Sequence, residues 1–226
     1  MPPLVIFDLD GTLIDTAPDL ANALNHCLGE AGHETDALTV VRPHAGHGAR
    51  AMLTAAYERR GVVLTEPEMQ DALVRFLAHY EAHIADQSRP YPHVISAMDA
   101  LAAAGFKLAV CTNKREGLAE LLLQTLGLAT RFAAICGADT VKHRKPHPGH
   151  IEETIERAGG TRDRAVMIGD SSADIDSAFA AKVPSILVDF GYAPDEKARA
   201  KASAEINDYA ALTPELVQSL MGLPPR

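Results

Sequence analysis

The sequence is poor in cysteine, aromatic residues and positive charge. Lysine and arginine number 21 against 30 aspartates and glutamates, which gives a formal net charge of −9. Because so acidic a chain has no basic field to attract phosphate backbones or anionic lipids, we expect no binding to nucleic acid or membrane. Its three cysteines are widely spaced and form no Cys-x-x-Cys pair. We expect them to be reduced thiols of a cytoplasmic protein.

Long uncharged runs are also missing. No stretch of more than ten residues lacks a charged side chain, so no segment is predicted to cross a bilayer. The N-terminal run lacks a basic residue and meets an acid at Asp8, which argues against a signal peptide. The 226 residues are nevertheless 47% hydrophobic, which excludes a disordered chain. This length fits one large domain with a smaller insertion.

Short apolar runs recur along the chain, and each is typical of a strand buried on both faces. These runs are residues 4–7, 107–111, 132–136, 165–168 and 185–188. Amphipathic helical patterns separate the later runs, and such alternation indicates a parallel sheet joined by right-handed crossovers. We therefore predict an α/β fold with a doubly wound, Rossmann-like parallel sheet.

The segment between the first two predicted strands contains helical patterns only. Thr16 and Thr65 each begin a capping sequence with proline and acidic residues in the first turn, and an apolar stripe follows each of them. We expect a small helical domain at residues 16–84, inserted into a core domain formed by residues 1–15 and 85–226.

Acidic residues follow two of the predicted strands. Asp8 and Asp10 come directly after the first, and alternation along a strand places them on the same side. Gly11 lets the chain turn there. Asp170 and Asp174 follow the run 165–168. Because ligands of doubly wound sheets bind at the carboxyl ends of strands, these acids are expected to meet, and their oxygens favour a hard cation such as Mg²⁺.

Other strand ends supply groups that suit a phosphoryl ligand. Thr112 and Asn113 follow the strand predicted at 107–111 and offer a hydroxyl and an amide. Lys145 lies in a proline-rich loop and offers a positive charge. Each element alone is typical of a turn or a helix start. Together, at the ends of several strands, they predict a site for phosphoryl chemistry.

These motifs, taken in order, resemble those of the haloacid dehalogenase-like hydrolases. The matching segments are Asp8-Leu-Asp-Gly-Thr-Leu-Ile-Asp-Thr16, Thr112-Asn113, Lys145-Pro146 and Gly169-Asp-Ser-Ser-Ala-Asp174. The helical insertion is similar to the cap domain of that family. Within the family, the phosphoglycolate phosphatases are the most similar group. That similarity rests on Gly46-His-Gly48, Tyr91-Pro-His-Val94, Cys111-Thr-Asn-Lys114 and Lys145-Pro-His-Pro148.

The resemblance implies a role for each matching residue. Asp8 would be the nucleophile and a Mg²⁺ ligand, and Asp10 the general acid and base, giving the metal its backbone carbonyl. Thr112 and Lys145 would hold the phosphoryl group, and Asp170 would be the second side-chain ligand. The residues implied in supporting roles are Asp174, Asn113, Gly11 and Thr12. The second aspartate, Asp10, favours a phosphatase over a dehalogenase, because an alkoxide leaving group needs a proton and a halide does not.

Several other polar residues lie outside these four motifs. His47 and Arg50 lie where the family keeps its specificity loop, and they are candidate substrate contacts. His143, His147 and His150 are interpreted as a solvated loop, since prolines interrupt any helix there. Lys142 also lies near the motif, but the position next to proline favours Lys145.

The predicted function is therefore that of a Mg²⁺-dependent phosphatase with an aspartyl-phosphate intermediate. Its partner would be a small phosphorylated metabolite, with 2-phosphoglycolate as the favoured substrate; the oligomeric state, monomer or homodimer, stays open. The alternatives are a phosphatase for sugar or amino-sugar phosphates, or a phosphomutase of the same family. A receiver-like signalling domain is disfavoured, since its motif order ends at the lysine, whereas Asp170 follows the lysine here. An inactive binding protein is disfavoured because every catalytic position is filled.

Overall fold

A computed structural model describes residues 1–223 of the chain. Its strands are β1 (Leu4–Phe7), β2 (Ile14–Asp15), β3 (Arg89–Pro90), β4 (Lys107–Cys111), β5 (Ala134–Cys136), β6 (Ala165–Gly169), β7 (Ser185–Val188) and β8 (Ala204–Ile206). Its helices are α1 (Ala17–Glu30), α2 (Leu38–Ala45), α3 (Ala49–Glu58), α4 (Glu66–Ala82), α5 (Val94–Ala103), α6 (Glu116–Thr125), α7 (Gly149–Arg157), α8 (Ser172–Ala181), α9 (Glu196–Lys201) and α10 (Pro214–Leu220).

The chain forms two compact units. One contains Met1–Ile14 and Pro90–Arg226, and the other contains Asp15–Arg89. The second boundary lies five residues beyond the one expected from the sequence. The reason is Asp19, whose buried carboxylate accepts hydrogen bonds from the backbone amides of Gln87 and Ser88 and so ties them to the start of α1.

The larger unit contains the predicted parallel sheet. Six strands pair in the order β5-β4-β1-β6-β7-β8, and every pairing is parallel. The chain leaves β1 to one side for β4 and β5 and then crosses to the other side for β6. This reversal of direction at β1 is where ligands of doubly wound sheets bind.

The sheet is covered on both faces, which explains why its strands are apolar runs without alternation. Leu4 and Ile6 of β1 belong to a core cluster with residues of α7 and α8, while the intervening Val5 and Phe7 are also fully buried. All five predicted strands are present, although β5 begins at Ala134 rather than at 132.

The smaller unit is helical, as predicted. The stripe on α1 is buried, and α1 packs against α2, α3 and α4. The Thr16 side chain, however, makes no capping hydrogen bond, so the prediction that it caps α1 is wrong. The Glu68 carboxylate does accept from the Thr65 backbone amide at 2.8 Å, as the second capping sequence predicts. No helix within residues 1–223 combines the length and apolar character that a membrane span requires.

Candidate active site

The end of β1 carries the first two acids of the site. The Asp8 amide donates to the Ile168 carbonyl of β6 at 2.9 Å, so strand pairing continues up to the point where Asp8 begins the loop. Gly11 then turns the chain with φ +81°. A Cβ at Gly11 would lie 2.6 Å from the Asp170 Oδ2 atom, so both the conformation and the space require glycine.

Asp170 is held in place from two sides at the end of β6. Its Oδ2 atom accepts from the Tyr192 amide at 2.7 Å, and its Oδ1 atom accepts from the Thr12 hydroxyl at 3.3 Å. Burial, reinforced by the nearby charges of Asp174 and Asp8, raises the pKa of Asp170 to about 8. A carboxylate in this position would gain strongly from a neighbouring cation.

Lys145 supplies the positive charge at the centre of the site. Its side chain is 2% exposed, and its Nζ atom lies 2.9 Å from Asp8 Oδ1 and 2.6 Å from Asp174 Oδ1. It also donates to the Cys111 carbonyl at 2.6 Å. Burial alone would lower the pKa of Lys145, but the two carboxylates outweigh it and raise the pKa. Lys142 is exposed in the same loop, so of these two lysines it is Lys145 that reaches Asp8 and Asp174.

Asp174 is fully buried, and both of its oxygens are already engaged. Oδ1 pairs with Lys145, while Oδ2 accepts from the Ser171 hydroxyl at 2.6 Å and from the Ser171 amide at 3.1 Å. The same contacts cap the first turn of α8. Asp174 is therefore ion-paired with Lys145, whereas the hydrogen bonds to Asp170 come from neutral donors.

Asp8 retains an oxygen that can take a further ligand. Although Lys145 Nζ lies 2.9 Å from Asp8 Oδ1, that buried oxygen has no hydrogen-bond partner among the described residues, so the contact is an ion pair without hydrogen-bond alignment. Burial raises the pKa of Asp8 to about 6, although the charge of Lys145 acts to lower it. Carboxylate oxygens of Asp8, Asp170 and Asp174 lie within 4.8 Å of one another. This buried acidic group can hold a divalent cation.

The Asp10 side chain is held apart from that group by an ion pair. Both of its carboxylate oxygens accept from Lys114 Nζ at 2.9 Å, and the Lys114 side chain is 6% exposed. The sequence motifs assign no role to Lys114, which occurs in them only as the last residue of Cys111-Thr-Asn-Lys114. Its place two residues after Thr112, at the carboxyl end of β4, is the signal that could have found it.

The residues after β4 join the Lys145 loop to the sheet. Thr112 is 1% exposed, its amide donates to the Cys136 carbonyl at 3.0 Å, and its hydroxyl accepts from the Lys114 amide at 3.1 Å. The Asn113 side-chain amide donates to the Lys145 carbonyl at 3.0 Å. The four predicted segments at the strand ends therefore lie together.

The two candidate contacts of the helical unit are on its surface. His47 is exposed, and the Arg50 guanidinium binds both carboxylate oxygens of Glu66, at 3.0 and 2.6 Å. A role for Arg50 in substrate binding requires it to leave Glu66. The substrate role of both residues stays a prediction.

Comparison with known proteins identifies the family. The model of the haloacid dehalogenase-like hydrolases matches residues 5–188. The chain belongs to this family. Within it, the chain is 47% identical over 221 residues to a phosphoglycolate phosphatase of Agrobacterium fabrum, covering 98% of this chain and 95% of that protein. A phosphoglycolate phosphatase of Mesorhizobium japonicum is also 47% identical over 221 residues, covering 97% and 96%.

Solved structures of this family have the same fold. A crystal structure of a predicted phosphoglycolate phosphatase from Haemophilus somnus aligns with a TM-score of 0.84 at 29% identity, covering 92% of this chain and 95% of that chain. These relatives and the family match make the chain a phosphoric monoester hydrolase similar to the phosphoglycolate phosphatases.

Proposed function

We propose that this hydrolase converts 2-phosphoglycolate to glycolate and phosphate, with Mg²⁺ as cofactor and Asp8 as nucleophile. The observation that carries the proposal is the buried Asp8 oxygen that lies beside Lys145 without a hydrogen bond. A carboxylate oxygen that has no hydrogen bond and lies next to a fixed positive charge suits attack on a phosphoryl group, because the lysine offsets the repulsion between two anions. The phosphoglycolate phosphatases that this chain resembles support the substrate.

Mg²⁺ fits the residues present. The acidic group offers oxygen donors only, which suits a hard cation. We infer that the side chains of Asp8 and Asp170, with the backbone carbonyl of Asp10, would hold it. Asp170 accepts from neutral donors only, whereas Asp174 pairs with the Lys145 ammonium and caps α8 through its other oxygen. When bound, the ion would neutralise charge on the phosphoryl oxygens and on the two carboxylates.

The reaction divides into two displacements. In the first, an Asp8 oxygen forms a bond to phosphorus while the bond between phosphorus and the glycolate oxygen breaks, and protonated Asp10 gives its proton to that oxygen. In the second, Asp10 takes a proton from water, the water oxygen attacks phosphorus, and the bond to Asp8 breaks. The products are glycolate and inorganic phosphate, and both aspartates return to their starting states.

Lys145 and Thr112 would hold the transferred group during both steps. Lys145 is fixed between Asp8 and Asp174, so its ammonium needs no reorganisation when negative charge develops on the phosphoryl oxygens. The Thr112 hydroxyl lies on the same loop as Asn113, which binds the backbone of Lys145.

Lys114 supports a leaving group that carries its own negative charge. Its ammonium binds the Asp10 carboxylate, yet Asp10 has to be protonated to act as an acid. A carboxylate next to the departing oxygen can take over this ammonium and free Asp10. Glycolate carries such a carboxylate, whereas a neutral hexose does not.

Two further parts of the proposal concern organisation and location. We propose that the helical unit Asp15–Arg89 serves as the cap that selects the substrate. We also propose a cytoplasmic location, which the three buried, unpaired cysteines support.

Phosphate release from a panel of monoesters, with and without Mg²⁺, tests this function. The panel contains 2-phosphoglycolate, hexose phosphates and amino-sugar phosphates, each with the wild type, Asp8→Asn and Asp71→Asn. Asp71 is an exposed acid on α4 and serves as the matched control. We expect a Mg²⁺-dependent preference for 2-phosphoglycolate and a loss of about 10³-fold or more in Asp8→Asn alone.

Each part of the proposal can fail separately. Normal turnover by Asp8→Asn would remove the nucleophile assignment. Equal or faster hydrolysis of hexose or amino-sugar phosphates would replace the substrate. Conversion of a sugar phosphate to its isomer, without release of phosphate, would make the protein a phosphomutase.

A further inference from the structure

His150 is a buried histidine that the proposed chemistry does not use. It is the second residue of α7 and is completely inaccessible to solvent, so its expected place in a solvated loop is wrong. His143 and His147 are exposed, as predicted. The difference arises because α7 begins at Gly149 and turns the His150 ring inward, towards the end of β5.

The ring of His150 joins two backbone groups. Its Nδ1 atom accepts from the Lys145 amide at 3.3 Å, and its Nε2 atom lies 3.3 Å from the Cys136 carbonyl oxygen. An amide only donates and a carbonyl only accepts, so this pair of contacts requires the neutral ring with its proton on Nε2. The Thr154 hydroxyl donates to the His150 carbonyl at 2.7 Å and fixes the turn that carries the ring.

These contacts link the two residues that would hold the phosphoryl group. The Cys136 carbonyl also accepts from the Thr112 amide at 3.0 Å, so one oxygen anchors both Thr112 and the His150 ring. The Lys145 backbone is then held on both sides, its amide by His150 and its carbonyl by Asn113. The position of the Lys145 backbone determines where the lysine ammonium lies relative to Asp8.

The surroundings of His150 favour the neutral ring. Burial, and after it the charge of Lys145, lowers the pKa of His150 to about 4. Opposing these are the Cys136 carbonyl and the charges of Glu153 on the same helix and Asp174 on α8. A protonated ring would turn an N–H toward the Lys145 N–H and break that contact.

We infer that His150 is a positioning residue, which holds the Lys145 backbone so that the lysine ammonium stands against Asp8. The inference rests on the proposed phosphatase function. The contacts of the His150 ring are with the Lys145 amide and the Cys136 carbonyl, so it acts through Lys145 and through that shared carbonyl.

Three substitutions separate the two contacts. His150→Asn places an amide oxygen near the Nδ1 position, where it can accept from Lys145, and His150→Gln places an amide N–H near the Nε2 position, where it can donate to Cys136. His150→Leu removes both contacts. His143→Leu, in the exposed loop before α7, is the matched control, and circular dichroism verifies that each variant is folded.

Activity and inhibition by vanadate, a phosphate mimic, are measured for every variant. We expect His150→Leu to lower kcat about 10- to 100-fold, the range that misplacement of a catalytic group produces, and to weaken vanadate inhibition. His150→Asn should restore most of both values, and His143→Leu should behave as the wild type. A purely structural role would reduce the active fraction and leave the vanadate inhibition constant unchanged.

A separate measurement does not depend on turnover. The ¹⁵N spectrum of the wild-type imidazole should report His150 as neutral, protonated on Nε2, at pH 6. A ring protonated on Nδ1 would overturn the inference, as would His150→Leu with normal kcat and vanadate inhibition, or His150→Asn as impaired as His150→Leu. If the wild type releases no phosphate from any ester, the proposed function fails, while the spectrum still decides whether His150 binds the Lys145 amide.

Discussion

Replacing Asp174 by asparagine is expected to destabilise the sheet-containing unit substantially. Asp174 and Lys145 are both buried, with side chains 0% and 2% exposed and 2.6 Å between Oδ1 and Nζ. Removal of one charge leaves a buried ammonium with less compensation. Such a loss costs about 3–5 kcal/mol in other proteins.

The loss of stability depends on the contacts that remain to Lys145 and to the asparagine after the substitution. Lys145 retains its ion pair with Asp8 and its hydrogen bond to the Cys111 carbonyl. The single asparagine oxygen can replace one of the two carboxylate oxygens: it accepts either from Ser171, which preserves the cap of α8, or from Lys145, which keeps one hydrogen bond on the ammonium. We therefore expect the lower end of the range, about 3 kcal/mol, which lowers Tm by about 6–12 °C in a chain of this size.

Asp176→Asn provides the matched control on the same helix. Its carboxylate pairs with Lys197 and Lys201, but these lysine side chains are 61% and 36% exposed. An exposed ion pair contributes about 0–1 kcal/mol, so Asp176→Asn should shift Tm by no more than a few degrees.

Thermal and urea unfolding of both variants, in the presence of a metal chelator, measures the difference. Chelation keeps an adventitious cation from compensating for the lost charge. The reasoning would be refuted if Asp174→Asn and Asp176→Asn lowered the free energy of unfolding equally. Loss of activity in Asp174→Asn without loss of stability would mean that the buried pair orients Lys145 but does not stabilise the fold.

Three further predictions follow from contacts and pKa values described above. Lys114→Met should lower the ratio of kcat/KM for 2-phosphoglycolate to that for a hexose phosphate about tenfold or more, because it removes a charged partner of the leaving carboxylate; an unchanged ratio would exclude that contact. Lys182 occupies the left-handed cap of α8 with φ 58°, so Lys182→Gly should raise the free energy of unfolding by about 0.5–1 kcal/mol in urea titrations; a loss of stability would contradict the strain. The folded-state pKa values of Asp8 and Asp170, about 6 and about 8, lie above their unfolded value of 3.8. Without metal, these groups therefore stabilise the fold at low pH and lose that contribution as pH rises from about 4 to about 8. Mg²⁺ should restore Tm most strongly near pH 8, and equal restoration at pH 5 would speak against a site on these carboxylates.

Local sequence was sufficient for the parallel core and for the composition of the site. The apolar run 165–168 predicts a strand buried on both faces because it is short and uninterrupted, and this pattern depends only on its own residues. Because the carboxyl ends of parallel strands meet at one edge of a sheet, the sequence predicts a cluster of Asp8, Thr112, Lys145 and Asp170. The apolar stripes of α1 and α4 likewise predicted the helical unit.

Strand β8 was missed because its signal is not local. Ala204–Ile206 is only three residues long and includes a charged residue, and it is a strand only because β7 offers it a parallel edge. Thr16 illustrates the opposite error, since its sequence is typical of a helix cap but its hydroxyl makes no such bond.

The sequence by itself determined which chemical groups stand at the strand ends, and tertiary structure decided how they pair. Lys114 meets Asp10 across 104 positions, and Asp19 meets Ser88 across 69. His150 is buried because α7 turns its ring inward, although His143 and His147 of the preceding loop are exposed. Hydrophobic periodicity indicates which face of a helix or strand is buried. The hydrogen-bond or ion-pair partner of a residue depends on how distant segments pack together, and a local sequence pattern holds no information about that packing.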